Sequence, residues 1–191
     1  MGKSRVEAFS DGVIAILITI MVLDLKVPEG AQFQSLMPLL PPFLSYVLSF
    51  VYLGIYWNNH HHMLQACERV TGAVLWANLH LLFWLSLIPV TTAWMSENHG
   101  DAAPSALYGA DLLMAAIAYF ILEQSIIALQ GPESLLKRAI GRDWKGKSSP
   151  LLYLAGIVAA FRSPAVSQAI YVLVALLWLV PDRRIESVFS S

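Results

Sequence analysis

The stretch from Arg5 to Val27, RVEAFSDGVIAILITIMVLDLKV, decides the fold. Its uncharged run, Gly12 to Leu23, holds 12 residues, roughly 18 Å of helix at 1.5 Å per residue. A bilayer core is about 30 Å thick, so the run crosses only if the charges at one end are shielded by water or protein. Those charges are Arg5, Glu7 and Asp11 on one side and Asp24 and Lys26 on the other. An ionisable residue inside a span marks a functional site by default. The stretch is therefore expected to form a pore-lining transmembrane helix.

At about 100° per residue, Arg5, Phe9, Gly12, Ile16, Ile20, Leu23 and Val27 fall on one stripe, with Thr19 at its edge and Asp24 closing it. Asp11 points away, toward whatever helices pack behind. Several copies around an axis stack Ile16, Ile20 and Leu23 as apolar rings beneath a ring of Asp24 carboxylates. Apolar constrictions gate by dewetting, and carboxylate rings attract cations. The same spacing also describes the buried face of any helix in a polytopic bundle, so periodicity alone leaves both readings open.

Composition sets the class. Of the 191 residues, 57% are hydrophobic and 13% charged, against about 25% charged in soluble domains. That is the composition of an integral membrane protein. A net charge of −1 gives no basic surface for nucleic acid, and no basic stripe interleaved with aromatics is present. Cys67 stands alone, so it makes no intrachain disulfide, and Glu68 and Arg69 beside it point to a cytoplasmic loop. Glu7 and Asp11 ahead of the first apolar segment, with no small-residue cleavage site after it, argue against a cleavable signal.

Charge-free runs place the remaining spans. Pro28, Glu29 and Gly30 end the first helix, and 38 residues from Gly30 to Cys67 carry no Asp, Glu, Lys or Arg. The second helix is expected near Pro41 to His61, because prolines are tolerated at a helix entrance. The third lies within Val70 to Ser96 and the fourth near Ala106 to Leu129, where Asp111 and Glu123 sit toward opposite ends and are expected to snorkel or pair. A basic loop with Lys137, Arg138, Arg142, Lys145 and Lys147 follows. Residues 148–180 make either one helix of about 50 Å or two short ones joined at Arg162-Ser163-Pro164. Charge parity selects two: six spans put ten basic residues inside and only Lys26 and Arg162 outside, as the positive-inside rule requires. The expectation is a single domain, residues 1–191, of six transmembrane helices with both termini cytoplasmic.

Arg5, Phe9, Ser10 and Asp11 stand as R-x-x-x-F-S-D before G-V-I-A-I-L-I-T. This long pattern resembles the signature of the transmembrane protein 175 family of potassium channels in its prokaryotic form. Trp57-Asn58 with the histidines after it, Asn78, and Pro181-Asp182-Arg183-Arg184-Ile185-Glu186 extend the resemblance over essentially the whole chain. The resemblance implies a homotetramer, since animal members look like two such six-span units fused. Four copies of the first helix then surround the axis.

The same resemblance implies that Arg5, Ser10, Asp11, Asn58, His60 and Asn78 form a polar network at the cytoplasmic ends of the first three spans. That network holds the first helix and satisfies Asp11. There is no T-V-G-Y-G filter. Potassium preference is then implied to come from the first helix, with Thr19 as a hydroxyl ring beside Ile16, Ile20 and Leu23, and Ile16 as the narrowest gate.

Other chemistries are weaker. Three consecutive side chains, His60-His61-His62, point in three directions on a helix and cannot hold one metal ion. No G-x-S-x-G, H-E-x-x-H, C-x-x-C or G-x-x-x-x-G-K-[ST] is present. The expected function is passive potassium conduction with no catalytic residue, no metal and no cofactor. The permeant ion, the bilayer and the other subunits are its partners. A cation- or proton-coupled secondary transporter is the alternative, and a membrane enzyme built on Asp11 with His60 or His80 stands behind it.

Overall fold

The structure is a computed structural model that describes residues 2–131, 134, 136, 137 and 144–179. Arg138, Arg142 and the 181–186 segment lie outside the described residues. Six α-helices are described: α1 Lys3–Ile20, α2 Leu40–Gln65, α3 Gly72–Glu97, α4 Ala102–Gln130, α5 Trp144–Ala160 and α6 Pro164–Leu179. The segments Lys3–Asp24, Phe33–Gln65, Gly72–Glu97 and Ala102–Gln130 are each long and apolar enough to cross a membrane. At 17 and 16 residues, α5 and α6 run about 25 Å each. They form the pair of short helices expected after the basic loop.

Local chemistry sets the boundaries. Pro41 and Pro42 sit in the first turn of α2, where a missing amide donor removes no helix bond. Thr71 caps α3, its hydroxyl accepting from the Val74 amide. Gly131, at φ 89°, ends α4 with a backbone twist that a side chain disfavours. Pro164 opens α6, and the turn before it is closed by the Ser163 amide donating to the Ala159 carbonyl.

The first helix departs from the expected Arg5–Val27 span. It is α-helical only to Ile20, tightens into a 3-10 turn over Met21–Asp24, and is extended from Leu25. The Leu25 amide donates to the Val22 carbonyl and closes that turn, a common way of satisfying the last carbonyls of a helix. With three residues per 3-10 turn, Leu23 stacks over Ile20 more directly than in an α-helix.

Successive helices alternate in direction. At one end Lys3 Nζ donates to the Gln65 carbonyl at 2.9 Å and Gln130 Nε2 to the Ala66 carbonyl at 2.8 Å. At the other end Lys26 pairs with Glu97 at 3.1 Å. The central helix is α4, packed chiefly on α3 and α5, while α1 lies at the edge against α2 and α3.

Between α4, α5 and α6 the Tyr171 ring occupies a slot with Gly109 on one wall and Gly156 on the other, where an added Cβ at either glycine overlaps the ring. Tyr171 Oη donates to the Ser105 carbonyl at 3.1 Å, and Tyr52 Oη donates to the Tyr171 carbonyl at 2.6 Å. Small residues that admit such close approach are the usual adhesive of membrane helices, because lipid supplies no hydrophobic drive between them.

Of the two fates expected for Asp111 and Glu123, snorkelling or pairing, neither residue snorkels, and each meets a polar neighbour, Thr91 and Gln124 respectively. Both are buried against neighbouring helices, because each faces the bundle interior and not lipid.

Cys67, in the connection from α2 to α3, is buried with its Sγ donating to the Arg69 carbonyl at 3.0 Å. Burial pushes its thiol up, and only the thiolate reacts. At neutral pH the folded protein should therefore label with a maleimide far more slowly than the denatured chain. Equal labelling rates would mean that this connection is open.

Candidate functional site

The two faces of α1 have opposite fates. Val6, Ser10, Ile14, Leu17 and Met21, spaced by three and four residues, are buried against α2 and α3. The opposite stripe is uncovered: Phe9 is 52% exposed, Ile16 60% and Leu23 80%, with Gly12, Thr19, Ile20 and Asp24 also open. No other described element of the chain lies over it. The stripe expected from periodicity is thus the face the subunit leaves free, which rules out the reading of it as a buried helix face within one subunit.

Two neighbouring residues fix the rotation of α1 about its own axis. Ser10 is fully buried, and Asn78 Nδ2 on α3 donates to its Oγ at 3.0 Å. Asn78 Oδ1 lies 2.7 Å from His60 Nε2 on α2, so the Nε2–H tautomer donates to it and the amide is used at both ends. One position on, Asp11 Oδ1 accepts from Trp57 Nε1 of α2 at 3.0 Å. Consecutive helix positions diverge by about 100°. Bonds from both Ser10 and Asp11 therefore leave α1 little freedom to roll, and its stripe stays aimed away from α2 and α3.

Of the six residues expected to form one network, Ser10, His60 and Asn78 meet. Asp11 is satisfied separately by Trp57, while Arg5 and Asn58 are exposed and take no part in these bonds. The correction follows from helix geometry. Asn58 stands two positions before His60, about 200° around α2, and Arg5 lies on the open stripe. Sequence reasoning missed the Trp57–Asp11 bond. The usable signal was that an indole N–H within a span needs an acceptor. Among the histidines, His61 Nε2 accepts from Gln65 Nε2 at 2.9 Å, and its ring stacks on Trp57. No group of three metal-ligating side chains gathers among the described residues.

Along the open stripe, Thr19 Oγ1 lies 3.0 Å from the carbonyls of both Ala15 and Ile16. Its hydrogen is directed to the backbone and its lone pairs outward, so the hydroxyl presents itself as an acceptor. Below it stands Ile16 and above it Ile20 and Leu23, with the Asp24 carboxylate at the rim. The stripe thus presents apolar side chains, an outward hydroxyl acceptor and a terminal carboxylate in that order along one open face.

Comparisons with known proteins bear on the same helices. The family described as endosomal/lysosomal potassium channel TMEM175 matches residues 5–89, from the start of α1 through most of α3. A potassium channel of Chryseobacterium sp. (strain P1-3) is 56% identical over 186 residues, covering 97% of each chain. An endosomal/lysosomal proton channel TMEM175 of Mus musculus is 30% identical over 138 residues, 64% of this chain and 28% of that one. The crystal structure of a lysosomal potassium-selective channel TMEM175 homolog from Chamaesiphon minutus matches with a TM-score of 0.83 and 28% identity. The match covers 94% of this chain and 97% of that one.

Proposed function

The chain belongs to the TMEM175 family and is an integral membrane protein, and from that premise we propose that it conducts potassium passively through a pore lined by α1. The observation that carries this reading is the open apolar stripe of α1, held at a fixed rotation by Ser10 and Asp11. A single subunit encloses no pore along that stripe, so four copies arranged around an axis supply the wall. Ile16, Ile20 and Leu23 form the constriction, Thr19 a ring of hydroxyl acceptors, and Asp24 the carboxylate ring at the outer mouth. The reading requires no cofactor, metal or reaction. Lys3, Arg5 and Arg69 at one end of the bundle support a cytoplasmic N-terminus in a prokaryotic plasma membrane.

The test is the reversal potential of the purified protein in a planar bilayer, with potassium on one side and sodium on the other. Large currents that reverse near the potassium equilibrium potential are expected. Saturating, low-turnover flux that depends on a second solute would instead make the protein a coupled transporter.

Within this reading Ile16→Asn places an amide in the narrowest ring, where it eases wetting. Single-channel conductance should rise and potassium preference fall. Unchanged currents from Ile16→Asn would move the gate to another ring.

A further inference from the structure

Away from α1, the bundle buries one carboxyl group in an arrangement that counts its own protons. Asp111 lies nine residues into α4, roughly 14 Å along the helix, and is 3% exposed. Its Oδ1 is buried with no hydrogen-bond partner, and its Oδ2 lies 3.0 Å from Thr91 Oγ1 on α3. Among the described residues no Lys, Arg or His lies within ion-pair distance of it. The ionisable groups that face it are Tyr56 from α2 and Tyr108 from its own helix. Tyr153 of α5 and Tyr171 of α6 turn toward each other instead.

Thr91 decides the protonation state. Its hydroxyl oxygen stands 3.2 Å from the Leu87 carbonyl, 3.2 Å from the Ile88 carbonyl and 3.0 Å from Asp111 Oδ2. A hydroxyl has one hydrogen to give. If Asp111 is ionised, Thr91 must turn that hydrogen from its own helix to the carboxylate, and Oδ1 remains a buried charged oxygen with no hydrogen-bond partner. Such a charge is among the costliest things a bilayer interior can hold. If Asp111 carries a proton on Oδ2, it donates to Thr91 Oγ1 while Thr91 donates to its own backbone. Both contacts are then true hydrogen bonds, and Oδ1 is only a neutral carbonyl oxygen.

We propose that Asp111, with Thr91 as its acceptor, is a proton-binding site between α3 and α4 that is occupied at neutral pH and stands apart from the ion path. Its ligand is a single proton, and no metal or organic group is needed. The unfolded chain releases this proton in the ordinary carboxylate range while the folded subunit keeps it, so the bundle loses stability as the pH rises from that range until the folded subunit releases it too.

Infrared difference spectroscopy on the reconstituted protein tests this directly. At neutral pH, wild type minus Asp111→Asn should show the C=O stretch of a protonated carboxylic acid. In Thr91→Val that band should persist and shift to higher frequency as its hydrogen bond is lost. Melting curves should fall with rising pH in the wild type and stay level in Asp111→Asn. A difference spectrum with only ionised-carboxylate bands would overturn the proposal. Should Asp111→Asn fail to fold, the Thr91→Val shift decides alone, because an unshifted band belongs to some other carboxyl group.

Discussion

Replacing Gly109 with alanine should destabilise the subunit by about 1–3 kcal/mol, the usual range when a methyl is forced into a packed interior. The added methyl overlaps the hydroxyl end of the Tyr171 ring. That ring cannot swing aside: it is fully buried, its hydroxyl donates to the Ser105 carbonyl, and its far side rests on Gly156. Gly156→Ala meets the flank of the same ring and should cost a similar amount. Because both changes displace one side chain, the double variant should lose less than the two singles together. Tyr171→Phe removes the atom that the methyl at position 109 meets first, so it should partly restore Gly109→Ala and leave Gly156→Ala unimproved. Thermal melts in detergent followed by tryptophan fluorescence compare all of these variants. Wild-type melting of Gly109→Ala would mean that the slot is looser than its geometry implies.

Asn78→Leu should be comparably severe for a different reason. Asn78 is the one residue bonded to both Ser10 of α1 and His60 of α2. Leucine fills similar space but orphans two buried polar groups, at about 1–3 kcal/mol for each. The damage should concentrate on α1, which keeps only the Asp11–Trp57 bond among those that set its rotation. Loss of potassium current together with faster hydrogen exchange in α1 is expected. Ser10→Ala should be milder, since the His60–Asn78 bond survives. If Asn78→Leu conducts and melts like the wild type, the rotation of α1 is set by apolar packing alone.

Much of the architecture could be read from the chain because lipid makes charge informative. Charge-free runs, entrance prolines and the Arg162-Ser163-Pro164 break placed α2 to α6 to within a few residues. The 3.6-residue period sorted α1 into a packed face and the face that the structure leaves open. The meeting of Ser10, His60 and Asn78 was reached through resemblance, since no local pattern links residues 18 and 68 positions apart. Tertiary partners were the illegible part. Gly109, Gly156 and Tyr171 are unremarkable in sequence, and their slot exists only once three helices converge. The burial of Asp111 likewise depends on which face of α4 turns inward, and a helix that is apolar nearly all round gives little sign of that. The 3-10 winding after Ile20 comes from the way the chain closes its last carbonyls, a choice that helix propensity leaves open.

The bonds that aim α1 all lie within a single chain: Ser10 to Asn78, Asn78 to His60, Asp11 to Trp57. A unit built this way brings its helix to any assembly already oriented. It owes nothing to its neighbour for that setting, and less order remains to be imposed when copies dock. On the proposed six-crossing topology the chain also returns to the side from which it started. A duplicated gene could then be read through as one polypeptide, two units in tandem, with no inversion and no redesign of the contacts that orient the helix. Once fused, the two copies are free to drift apart in sequence. The proposed ring of four identical wall segments could then become one in which opposite pairs differ, with rim charge or gate width tuned on one pair alone.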